Sequence, residues 1–109
     1  MFSDFEFKTE HTRLIQQNYL LLLEELDPRP LLLGHLFANG VIDDRQKEEI
    51  GVVAGRFQQN ERLLSIISRK STHDFCKFLT ALRESGQKHV AFVLSKDGGI
   101  LSFAYVISC

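Results

Sequence analysis

The sequence predicts an all-α fold, a six-helix antiparallel bundle, and three observations carry that prediction. Apolar residues recur at spacings of three and four along most of the chain, which places them on single faces of helices. Pro, Gly and Asn stop signals divide these stretches with short connections, as in bundles of antiparallel neighbours. The 109 residues fit one domain, and 44% hydrophobic with 25% charged residues matches soluble globular chains. Nine Phe and no Trp predict an aliphatic core with Phe inserts.

The elements follow in order. Residues 1–8 read as a lead-in, and a helical bundle is expected over 9–94. The first helix starts near Thr9, with Ile15, Tyr19, Leu22, Leu23 and Leu26 on one face. Asp27-Pro28-Arg29-Pro30 ends it, because the residue before each proline is pushed out of helical geometry. Pro30 suits an early position of the second helix, whose stripe is Leu32, Leu33, Leu36 and Phe37. Asn39-Gly40 stops that helix, since both residues tolerate the left-handed conformation. Asp43-Asp44 caps a short, mostly polar third helix whose end Gly51 and Gly55 bracket. A fourth helix over about 56–68 turns Phe57, Leu63, Leu64 and Ile67 inward. Ser71-Thr72-His73-Asp74 has the form of a capping box, and Phe75, Phe78, Leu79 and Leu82 give the fifth helix the cleanest periodicity in the chain. Gly86 closes it, and a short sixth helix over 88–94 carries Val90, Val93 and Leu94. Lys96-Asp97-Gly98-Gly99 is a turn or linker signal. The apolar, β-forming run after it, within a tail over 95–109, is open between a strand, a loose end and sequence foreign to the domain.

Composition excludes several classes of function. A formal net charge of −1 lacks the basic excess of a protein that coats nucleic-acid phosphates, so no nucleic-acid partner is expected. Two cysteines make no disulfide framework, and Cys76 in an apolar helix reads as a buried thiol in a reducing compartment. The acidic start MFSDFEFKTE has no apolar signal core, and the Leu run at 20–23 is far too short to span a bilayer. The expected location is therefore cytoplasmic, with no membrane partner.

Catalytic chemistry has nothing to build on. Cys76 and His73 lie three residues apart, but no base and oxyanion site accompany them in recognisable form. Four scattered His and two distant Cys do not make a zinc site, and each His reads as a surface residue or a cap. Gly98-Gly99 is too short to cradle a phosphate and no Gly-Lys-Ser/Thr follows it. No catalytic residue, metal or cofactor is expected.

Three passages carry a family resemblance: HTRLIQQNYLLLLEEL, LLLGHLFANGVIDDRQKEEI and NERLLSIISRKSTHDFCKFLTALRESGQKHVAFVL. In order and spacing they resemble the caspase recruitment domain (CARD), a branch of the death-domain superfamily, as found in initiator caspases and their adaptors. The resemblance implies the Greek-key death fold. It also implies homotypic CARD–CARD binding that recruits or nucleates an apoptotic or inflammatory caspase-signalling complex. A CARD-only decoy or capping regulator is the alternative, and a helical nucleic-acid-binding domain a more distant one.

In that family a basic surface of the first and fourth helices meets an acidic surface of the second and third. The residues here that suit such a contact are Arg13, Arg56 and Arg62 on one side, and Asp27, Asp43, Asp44, Glu48 and Glu49 on the other. The expected partner is another CARD-containing protein (a caspase, adaptor or receptor), or further copies of the chain assembling into filaments. Opposite charges on different elements steer a partner and fix its register. A head-to-tail contact that closes no ring propagates.

Overall fold

The computed structural model describes residues 10–28 and 31–96, with the Lys96 side chain outside that set. Among the described residues seven helices follow one another: α1 Glu10–Gln17, α2 Tyr19–Glu25, α3 Leu31–Ala38, α4 Asp44–Val52, α5 Arg56–Ser68, α6 Thr72–Glu84 and α7 Lys88–Lys96. The described residues form an all-helical bundle, as expected. The lead-in, Pro30 and the tail beyond residue 96 lie outside the described residues.

The predicted first helix is two helices. The break falls at Asn18, with φ −108° and ψ 19°. Its side-chain Nδ2 donates to the Leu14 carbonyl at 2.9 Å, and its own N–H reaches the same carbonyl at 3.2 Å. A side chain that competes for a helix carbonyl bends the ladder without abolishing it. The Leu22 N–H still donates to the Asn18 carbonyl at 2.9 Å, so α2 continues from α1.

The caps read from the sequence are formed. Asp43 accepts from the Gln46 N–H at 2.7 Å while the Gln46 side chain accepts from the Asp43 N–H at 3.1 Å, a complete capping box. The Ser71 hydroxyl accepts from the Asp74 N–H at 3.1 Å and starts α6. Gly40 and Gly86 adopt φ +76° and +86°. There the N–H of the next residue turns back onto the helix, Val41 to Leu36 at 2.9 Å and Gln87 to Leu82 at 2.7 Å. A Cβ would make this left-handed turn costly.

Helix α5 is central: α1, α2, α4 and α6 all pack on it. Helix α6 packs in addition on α3 and α7. Leu14, Leu22, Leu32, Leu36, Leu63, Ile67, Phe75, Phe78 and Leu82 are almost wholly inaccessible and form one continuous core. Two expected core aromatics are not in it. Phe37 is 43% and Phe57 50% exposed. Each instead lies beneath a cation, Lys47 Nζ at 5.5 Å from the Phe37 ring and the Arg56 guanidinium at 5.4 Å from that of Phe57. Cys76 is buried as expected, but it is disulfide-bonded, which corrects the expectation of a buried thiol.

His11 also departs from expectation, being buried completely where a surface residue or cap was predicted. Its ring stacks on Phe75 at 4.9 Å and interplanar angle 22°, and it hydrogen-bonds the Lys70 backbone. Burial lowers its pKa from 6.5, and the backbone bond offsets only part of that shift. The unfolded chain therefore binds a proton that the folded chain refuses. The favourable neutral state is complete above about 6.5, and stability falls as pH drops from there toward the lower folded value. His11→Phe, which keeps the stack, should flatten that slope between wild-type and variant urea midpoints measured from pH 7.5 to 5. Parallel slopes would exclude His11 as the cause.

Candidate protein-interaction surface

All eight charged residues singled out from the sequence are exposed, but they do different work. Asp43 is committed to the α4 capping box. Asp44 and Glu48 stand one turn apart on α4, with Val52 a turn further on, so the three share a stripe. Glu49 lies on the adjoining stripe, one turn after Arg45. Helix α4 packs on α3 and α5, which leaves these stripes on its outer side.

The basic residues sit around α5. Thr12 of α1 donates its hydroxyl proton to the Ser68 carbonyl at 2.9 Å, while the far end of α2 meets the start of α5. The α1–α2 arm therefore runs antiparallel to α5. Between them lies an open groove lined by Thr12, Ile15, Tyr19, Glu61, Leu64 and Ser68. Arg13 and Arg62 are exposed on the two helices that border it. Glu61, which sequence reasoning did not count, places a carboxylate within this otherwise basic border.

Arg56 has a second task. Its Nη1 donates to the carbonyls of Glu24 at 2.5 Å and Leu26 at 3.1 Å. Asn60, fully buried, donates Nδ2 to the carbonyls of Leu23 at 3.0 Å and Leu26 at 2.8 Å. Gln87 completes the clasp: its Oε1 accepts from the Asp27 N–H at 2.8 Å and its Nε2 donates to the Asp27 carbonyl at 2.8 Å. The end of a helix leaves its last carbonyls without intrahelical donors. Here α5 and the start of α7 supply them, and so fix where Asp27 stands. Asn60 and Gln87 were missed in the sequence. The one available signal was Asn60 on the apolar stripe of α5, at three and four residues before Leu63 and Leu64.

Among the described residues no group of three or more His, Cys, Asp or Glu could hold a metal ion. No described helix is long and apolar enough to cross a membrane. Two side-chain contacts link helices, His35 Nδ1 with Glu84 at 3.5 Å and His89 Nε2 with Glu25 at 3.6 Å, and each becomes an ion pair when its imidazole is protonated.

A helical bundle with charge of both signs on separate outer faces is compatible with a docking module, and comparison with known proteins decides the family. The family model described as caspase recruitment domain matches residues 12–97. The chain belongs to the CARD family. Its CARD spans nearly all of the described helices, and a protein-interaction module is what that domain supplies. The chain is also similar to caspase-2 of Gallus gallus, at 28% identity over 86 residues. That alignment covers 79% of this chain and 20% of the relative, so the chain spans about a fifth of the length of the caspase it matches.

Proposed function

We propose that this CARD recruits a caspase-type or adaptor CARD by homotypic contact and nucleates an apoptotic or inflammatory signalling complex in the cytoplasm, without catalysis of its own. The observation that carries the reading is the segregation of charge. Arg13 and Arg62 are exposed on α1 and α5, whereas Asp44, Glu48 and Glu49 are exposed on α4. Arg13 and Arg62 meet the acidic α4 of a neighbour, and Asp27 extends the acidic side. Arg56 and Asp43 contribute chiefly by holding the α2 end and the α4 start in place. The similarity to a caspase supports a caspase or its adaptor as the partner class.

Such a contact is steered by charge, so salt should weaken it. Asp44→Lys with Glu48→Lys, and separately Arg13→Glu with Arg62→Glu, should each weaken binding to a partner CARD by about a hundredfold, the scale of two lost and reversed charge pairs. Biolayer interferometry against a panel of caspase and adaptor CARDs reads this directly, and unchanged affinity in both variants excludes the charged contact. Substoichiometric addition to a polymerising partner separates the roles: a nucleator shortens the lag, a decoy lengthens it.

A further inference from the structure

Cys76 is disulfide-bonded and only 8% exposed on α6. The sequence holds one other cysteine, Cys109. In a reducing compartment disulfides are rare, and those that form are usually transient and redox-sensing. A bond at this position therefore needs a task besides stability, and the α6–α7 pair supplies one.

The connection 85–87 turns α7 back along α6, on which it packs. Cys76 lies eight residues before the end of α6, and Lys96 eight residues after the start of α7. At ~1.5 Å per residue both stand about 12 Å from the connection, so the chain leaves α7 beside Cys76. Cys76, Thr80 and Arg83 follow at spacings of four and three, along one stripe of α6. At the far end of that stripe Arg83 lines an open depression with Lys88, Phe92 and Ser95, where Phe92 is 61% exposed. The sequence that follows α7 suits this surface. Positions 98–109 hold no charged side chain and include Ile100, Leu101, Phe103, Tyr105, Val106 and Ile107. Covering an exposed ring with such a run is favourable in water.

We propose that Cys109 is the partner of Cys76, and that their bond is a redox-controlled strap seating the segment 97–108 of the same chain across the α6–α7 depression. Opening takes two electrons and two protons from a dithiol reductant. One of its thiolates attacks the Cys109 sulfur, because Cys76 is shielded by burial. The S–S bond breaks, and Cys76 leaves as a thiolate that takes up a proton. The second thiolate then displaces Cys109, which leaves and is protonated in turn, and the reductant departs as its own disulfide. A disulfide oxidant such as oxidised glutathione runs the same exchange backward. The redox state thus decides whether Phe92 and the apolar run are covered together or uncovered together. The redox role rests on the cytoplasmic placement proposed above, whereas the strap itself is tested without it.

The test uses the full chain equilibrated with oxidised glutathione or with dithiothreitol. Intact mass should show an oxidised monomer lighter than the reduced one by two hydrogens. A covalent dimer, or two free thiols after oxidation, overturns the pairing. Urea unfolding of the two forms then reads the strap. In the unfolded chain the bond closes a ring over positions 76–109, and in the folded chain one over 96–109. If the segment is otherwise loose, the two closure costs nearly cancel, and oxidation raises the folded-to-unfolded ratio only about fourfold. If the segment is seated, its placement no longer counts against the bond, and the gain is about thirtyfold or more. Cys109→Ser, which alters no described residue, should remove the response to oxidant altogether. Phe92→Ser, at an exposed position, should still form the bond but cut the gain to about fourfold. A fourfold gain in the wild type, or a gain that Phe92→Ser leaves unchanged, overturns the seating.

Discussion

Phe75→Ala should cost about 3–5 kcal/mol, a large part of the ~5–15 kcal/mol that holds a domain of this size together. Phe75 is inaccessible, stacks on His11 and packs 6.1 Å from the Phe78 ring. Its removal opens a cavity where α1 meets α6 and deprives the buried imidazole of its neighbour. The surrounding helices cannot collapse into the gap without moving α1, so most of the cost stays uncompensated. Urea unfolding followed by far-UV circular dichroism gives the number. Phe57→Ala is the internal comparison, because Phe57 is half exposed and should lose under about 1 kcal/mol. A midpoint for Phe75→Ala no lower than that for Phe57→Ala would mean that the α1–α6 packing is wrong.

Asn60→Asp is expected to be nearly as damaging, although it changes one atom's chemistry and almost no volume. The Asn60 amide gives both protons to the carbonyls of Leu23 and Leu26 from a fully buried position. A carboxylate there faces two oxygens with no proton to offer, and an unpaired buried charge costs several kcal/mol, about 3–5 in measured cases. Asn60→Leu separates the two contributions. It leaves the carbonyls without that donor but adds no charge, so the loss should be about 1–3 kcal/mol. Hydrogen exchange localises the damage: the amides of α2 and the Asp27 N–H should lose protection before those of α6. Uniform loss across the bundle would mean that Asn60 acts only through global stability.

Much of the architecture was legible because local chemistry and global packing agree. The α5 boundaries, the Asp43 cap, the Ser71 cap and the Gly40 and Gly86 turns each follow from side chains within four residues of the event. The misses have several physical origins, some local and some in contacts distant along the chain. Periodicity sets Phe37 and Phe57 on apolar faces, but a cation above each ring makes exposure tolerable. The stacking of His11 on Phe75 joins residues 64 positions apart, and nothing near His11 announces it. Asn18 reads as an ordinary mid-helix polar residue until its amide takes the Leu14 carbonyl. The charged surface was legible as composition and position. The division of labour within it was not, because the Arg56 guanidinium is aimed by the fold toward backbone 30 residues away.

The clasp at the end of α2 has a consequence for how such a module changes its company. Every bond that Arg56, Asn60 and Gln87 make there lands on main-chain atoms of residues 23, 24, 26 and 27. None of these bonds uses the side chain of Glu24 or Asp27. At Glu24 the clasp is indifferent to the exposed side chain, so charge can be rewritten at that position by single substitution with little loss of stability. Specificity and foldability are thereby placed on different atoms of the same residue, which lets a lineage of such domains acquire new partners without first rebuilding its core.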